Sequence, residues 1–227
     1  MKISLGCKPL AIPSPVWVIG SYGSCAQPNI MVASWGSICC TTPACVAVSL
    51  KVSRATYANI VEHQAFTVSV PSRDFLFETD FIGNVSGVSV NKFSATGLTA
   101  VRSNVVDAPY VQEFPLIMEC SLLHMLEIGS HTQFIGQVMD VKAEEEVLGE
   151  NGLPSAEKIS PLIGSAGERA YYSIGKWLGQ AQLVNNWLAE NLFTCERLAD
   201  GADIDFGNLE FGNLPLVTPD CFKARKS

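Results

Sequence analysis

The chain contains neither GxGxxG nor GxxxxGK[ST], so the glycine-rich loops that most often cradle nucleotide phosphates are missing. It also lacks CxxC and HExxH. Its three histidines, His63, His124 and His131, stand far in sequence from Cys39, Cys40 and Cys45, and those cysteines do not make a zinc ligand set at usable spacing. No segment reaches the roughly 18 uninterrupted apolar residues of a membrane-spanning helix. Pro9, Pro13 and Pro15 interrupt the apolar residues that follow Lys2 and Lys8, a poor signal-peptide pattern, so the expectation is a cytoplasmic protein with no membrane partner. Nucleic acid is excluded as a partner by a net charge of -7 and by the lack of any basic stripe beyond Lys223, Arg225 and Lys226. Charge itself is scarce, 16% against 48% hydrophobic residues. That balance argues for a folded chain, and for one that hides more surface than a monomer does, as in a dimer.

Cysteine, by contrast, is plentiful: Cys7, Cys25, Cys39, Cys40, Cys45, Cys120, Cys195 and Cys221. A chain of 227 residues can build a core without disulfides, and with no secretion signal the thiols are expected to be reduced. Neighbours on a strand point to opposite faces, so Cys39 and Cys40 can share a site only across a bulge. As small, polarisable side chains they suit the packing of a strand and its turn.

Strand patterns dominate the first two-thirds. Val16 to Gly23, Ile30 to Cys39, Val46 to Val52 and Ala65 to Pro71 each read as a strand, with TTPA punctuating between the second and third. ATYANIVEHQ carries Tyr57, Ile60 and Val61 at helical spacing, and Ser53 is placed to cap it. Short helices are expected around FLFETDFIG and VNKF. Two long strands, PLIMECSLLHMLEI and TQFIGQVMDVKA, are separated by the turn GSH. Without regular strand–helix alternation, the expectation is a mainly β, antiparallel barrel or sandwich with short helical insertions. From Trp177 the pattern becomes that of an amphipathic helix to about Phe193, followed by an acidic, turn-rich tail. The predicted division is a domain over 1–180 and, over 181–227, a C-terminal helix and extended tail that packs on the domain or on a second subunit.

PNIMVASWGSICCTTPACVAVSLKVSRATYANI, DFIGNVSGVSVNKFSATGL and EIGSHTQFIGQVMDV, occurring in that order, resemble the flavin reductase-like family, the FMN-binding split β-barrels, and its flavoredoxin-type members in particular. The resemblance runs from Pro13 to Gly179. It implies a Greek-key split barrel, a homodimer, and one FMN per subunit near the dimer interface. The implied activities are reduction of flavin or another small acceptor by NADH or NADPH, or electron carriage between redox proteins.

The residues supply matching chemistry, each with a plainer alternative. Ser53, Arg54 and the start of a helix offer a hydroxyl, a forked cation and unpaired N–H groups for a phosphate; they would equally make an N-cap beside a surface arginine. Lys92 could reach the phosphate or the ring's pyrimidine end with Phe93 packed beside it, or be a solvated lysine next to a core phenylalanine. Ser86 and Gly87 permit close backbone approach. By the resemblance, the flavin ring lies along Asn29 to Thr42. Backbone groups of Met31, Ala33, Ser34 and Trp35 would bond its edge, Trp35 would serve as a stacking wall, and Cys40, Thr41 and Thr42 would form a thin wall, with Cys40 and Thr41 at the N5 or O4 edge. Ser49 completes the set. Many relatives have a Pro-Pro turn where this chain has TTPA. His131 resembles a histidine near the nicotinamide and is the candidate catalytic group, orienting the donor or balancing charge on the reduced flavin; it could also be a capping residue of a turn. Three functions compete: an FMN reductase, an FMN electron carrier without nicotinamide activity, and a binding module without chemistry.

Overall fold

The segment WVIGSY has no polar face to turn towards water, and it forms a central strand covered on both sides. In the computed structural model, which describes residues 1–179, this strand is β2 (Trp17–Tyr22), preceded by a two-residue β1 (Ser14–Pro15). The chain continues through β3 (Pro28–Ala33), β4 (Gly36–Thr41), β5 (Ala44–Leu50), α1 (Ala55–His63) and β6 (Ala65–Val70). Next come α2 (Leu76–Asn84), α3 (Lys92–Thr96), β7 (Ala100–Arg102) and β8 (Pro109–Val111). Two 13-residue strands, β9 (Leu116–Ile128) and β10 (His131–Ala143), form the longest hairpin. The order ends with α4 (Ala156–Ile159), β11 (Leu162–Ser165) and β12 (Ala170–Ser173).

Seven strands make one sheet in the order β3-β2-β6-β9-β10-β5-β4, every pairing antiparallel. β3 and β5 touch without pairing, so the sheet curls into a barrel that is split on that side. This is the mainly β split barrel expected from the motifs. β1, β11 and β12 form a smaller sheet, and β7 pairs with β8. Adjacent Val18 and Ile19 point to opposite faces of β2 and belong to two separate cores. Ile19 joins Val46, Val48, Phe66, Phe134 and Ile60 of α1 on the inner face. Val18 joins Ile30, Ile82 of α2, Phe93 of α3, Phe114 and Ile117 on the outer face.

Three expectations are corrected. The single strand over Ile30 to Cys39 is two strands, β3 and β4, at opposite edges of the sheet. Ser34 and Trp35 carry the chain across, and Gly36 makes the crossing possible: a Cβ there would lie 2.6 Å from Cζ3 of Trp17. The cap of α1 is Arg54, one residue later than Ser53, because the Arg54 N–H donates to the Lys51 carbonyl and the helical bonds begin with Tyr57 N–H to Arg54. His131 is the first residue of β10, opposite Ile128, and is not part of the turn. Of the helix expected from Trp177, residues from 180 onward lie outside those described, as does the acidic tail; 177–179 carry no regular structure. Among the described residues no helix is long and apolar enough to cross a membrane.

Candidate functional site

Lys51 and Ser53 leave the end of β5, Arg54 caps α1, and Asn29 and Met31 come from β3. With Ser86 and Gly87 after α2 and Lys92 at the start of α3, they line one cavity of about 220 Å³. Its walls carry three cations, Lys51, Arg54 and Lys92, and no carboxylate. None of the three forms a salt bridge with a described residue. Lys92 is only 5% exposed, and its Nζ donates to the Ile82 carbonyl at 2.8 Å. Burial, and then the Arg54 guanidinium, pull its pKa down to about 8. A buried ammonium with one hydrogen bond and cations for neighbours is costly unless an anion neutralises it. Ala55 and Thr56 of the first turn of α1 also line the cavity, and no side chain caps that turn, so its N–H groups add positive potential.

The cavity is braced from within. Asn29 Nδ2 donates to the Thr56 hydroxyl at 3.1 Å, tying β3 to α1. Gly87 packs directly on this asparagine: a Cβ there would stand 2.0 Å from Asn29 Oδ1. The glycine's close approach is thus to the protein's own carboxamide.

A second cavity of about 630 Å³ lies at the other end of β3. Ser34, Trp35 and Ser49 line it, with Gly36, Ser37, Ala47 and Gln133, and the N-terminal stretch from Lys8 to Pro15 forms one rim. A third, of about 510 Å³, lies between the two. It shares Val32 and Gly83 with the cationic cavity, and Ser14, Ser34 and Ala166 with the second. The three make one trough beside β3, from Asn29 to Trp35, roughly 20 Å at strand rise. On the middle stretch Tyr171 donates to Asp80 at 3.1 Å, and burial followed by that bond pushes the phenol up to about 12.

Trp35 and His131 meet at the second cavity's end, with ring centroids 4.6 Å apart and planes tilted by 33°. His131 Nδ1 lies 2.8 Å from the Ser130 hydroxyl. The tryptophan and the histidine, separately proposed from sequence, are therefore one aromatic wall.

Eleven of the sixteen candidates line the trough or, as His131 does, back it. Others stand elsewhere. Ala33 is buried in the inner core and Phe93 in the outer core. Cys40, Thr41 and Thr42 are exposed at the tip of the β4–β5 hairpin, about 17 Å along the strand from Trp35, and line none of the three cavities. Lys51 was missed, because the tight turn in which the Arg54 N–H donates to the Lys51 carbonyl brings it to the cavity beside Ser53, and no spacing in the sequence marks that turn. Asp80 and Tyr171 were missed too, and they are 91 residues apart, which no local pattern connects.

The sequence model of the flavin reductase like domain matches residues 10–168. The chain belongs to the flavin reductase-like family. Flavoredoxin of Desulfovibrio vulgaris (Miyazaki F) is 45% identical, with a TM-score of 0.78 over 82% of this chain and 100% of that one. Flavoredoxin from Methanosarcina acetivorans is 26% identical, with a TM-score of 0.75 over 83% of this chain and 98% of that one. Among curated relatives, a protein of Archaeoglobus fulgidus is 33% identical over 115 residues, 51% of this chain and 65% of its own length, so the chain spans just under two thirds of that relative. As a flavin reductase-like chain, the protein has the flavin-binding split barrel of that family.

Proposed function

We propose that the trough holds FMN, with the phosphate in the cavity of Lys51, Arg54 and Lys92 and the ring towards Trp35. One observation carries the reading: a cavity with three cations, the first turn of a helix and no acid is built for a compact dianion. When bound, the flavin supplies the redox chemistry, and the protein's part is grip, orientation and electrostatics. Arg54 offers a fixed fork, while Lys51 and Lys92 are point charges. Backbone groups of Met31, Ala33, Ser34 and Trp35, with Ser49 beside them, would meet the ring's edge. The Trp35–His131 wall orients a nicotinamide donor, NADH or NADPH, and His131 holds compensating charge when protonated. The reaction is reduction of free flavin or another small acceptor. The barrel works as a homodimer, with 1–180 as the flavin domain and 181–227 as an arm for the domain or its partner, in the cytoplasm.

A second reading is an FMN electron carrier exchanging electrons with redox proteins; the 45% identity to a flavoredoxin favours it. Anaerobic titration with NADH and NADPH separates the two. Bleaching of the flavin band on adding either nicotinamide supports the reductase. A protein that ignores both but accepts electrons from a low-potential donor supports the carrier. Colourless protein whose melting point FMN does not raise defeats both.

A further inference from the structure

Beyond the flavin trough, the β4–β5 hairpin brings Cys39, Cys40 and Cys45 together. Cys40 and Cys45 are directly opposed partners across the hairpin. Residues so opposed in an antiparallel pair have Cα atoms about 4.5–5.5 Å apart and side chains on one face, within the range a disulfide spans. The register slips between Ile38 and Cys40, so the extra residue, Cys39, sits in a bulge beside the pair. Cys40 is exposed and Cys45 buried. Burial, and then the nearby Cys39 and Cys40 thiols, push the Cys45 thiol up. Along β5, Cys45 falls on the same face as Ala47 and Ser49, both of which line the trough. The pair stands one pleat repeat, about 7 Å, beyond Ala47.

We propose that Cys40 and Cys45 form a reversible dithiol–disulfide site that exchanges with small disulfides. The Cys40 thiol, exposed to solvent, gives up its proton and attacks one sulfur of the small disulfide. A mixed disulfide forms and the first small thiolate leaves. Cys45 then loses its proton and attacks the Cys40 sulfur. The intramolecular S–S bond forms, and the second small thiolate departs. The two released protons end on the two small thiols, so the dithiol is oxidised by two electrons and the small disulfide reduced by two. Cys39 is a bystander held off by the bulge. This chemistry does not depend on flavin.

The test equilibrates the full-length, flavin-free protein in glutathione and glutathione disulfide buffers of increasing oxidising poise. Free thiols are then blocked with iodoacetamide, disulfides reduced, and new thiols labelled with N-ethylmaleimide. Expected is joint conversion of Cys40 and Cys45 to the second label with a single midpoint, and a mass lower by two hydrogens before reduction. Cys39→Ser preserves this behaviour. Cys40→Ser, a change at an exposed position that does not threaten folding, abolishes the loss of two hydrogens and leaves Cys45 with the first label. Independent oxidation of the two positions, glutathione adducts with no internal bond, or undiminished oxidation of Cys45 in Cys40→Ser would each overturn the proposal. Because no flavin enters the experiment, its failure leaves the cationic cavity as it stands, and a failure of flavin binding leaves this result untouched.

Discussion

Lys92 is where a single residue ties fold to ligand. Its ammonium is buried beside Arg54 with one carbonyl as partner, a placement that stability alone does not reward. Lys92→Met keeps the stem's volume and removes the charge. The ligand-free variant is expected to melt at the same temperature as the native chain or above it, while FMN binding weakens about 10- to 100-fold, the range for a lost charge-assisted bond. Calorimetric titration and thermal melts read both quantities, and native-strength binding by the variant would sink the assignment. The pKa near 8 also fixes a pH dependence. A lysine in the unfolded chain titrates near 10.4, so between about 8 and 10.4 the unfolded state carries a proton that the folded state has released. Stability of the ligand-free protein should therefore rise with pH across that window, and the slope should vanish in Lys92→Met. FMN affinity should move the opposite way. Below about pH 8 the phosphate meets an ammonium already charged, whereas above it binding must draw a proton from solvent.

Among the elements, α1 shows what a sequence can and cannot tell. Its extent was readable from Tyr57, Ile60 and Val61, and its positive end from Ser53 and Arg54, because those depend on spacing within one turn. The cap itself was misassigned, since the turn from Lys51 to Arg54 that displaces Ser53 is set by backbone bonds that composition does not encode. This gives a test. Ser53→Ala should change stability by less than about 0.5 kcal/mol, where loss of a true N-cap costs about 1, yet should weaken FMN binding. Urea unfolding and flavin titration of the same variant decide it. Gly87 makes the same point in tertiary terms: the flexibility was visible in sequence, but the neighbour that demands it, Asn29, comes from a strand 58 positions earlier. Gly87→Ala should push the carboxamide off Thr56 and cost about 1–3 kcal/mol in chemical denaturation, as overpacking does. Cys40, Thr41 and Thr42 were placed at the flavin by the family resemblance, which laid the ring along Asn29 to Thr42, and the strand pattern over Ile30 to Cys39 showed no break to set against it. Once the chain crosses from β3 to β4 at Ser34 and Trp35, those three residues are carried to the far end of a hairpin. Periodicity sees a strand's apolar content and is blind to which edge of the sheet it joins.

Across the whole molecule, the unsatisfied feature is the outer half of β9. β6 pairs with β9 only as far as Ser121, and beyond it the edge of β9 has no strand partner among the described residues. That stretch exposes Leu123, Met125, Leu126 and Ile128, with Leu126 at 53% and Ile128 at 57%. Open edges studded with large apolar side chains are hazards that proteins cover or charge. A chain with 16% charged residues has little polar surface with which to blunt one. A second copy of the same chain is the simplest cover, since an isologous contact buries the same patch twice. The native protein should therefore sediment at twice the chain mass at about 10 μM, a concentration at which a standard-size interface of ordinary affinity stays closed. The pair of changes Leu126→Lys and Ile128→Lys should yield a monomer with unchanged far-ultraviolet circular dichroism, because both side chains already face solvent in the single chain. If the dimer interface also orders the Trp35–His131 end of the trough, whose His131 lies three residues beyond Ile128, the monomer should bind FMN less tightly while inorganic phosphate still binds at the cationic end. A native chain that sediments as a monomer at that concentration, or a double variant that remains dimeric, would rule out β9 as the seam.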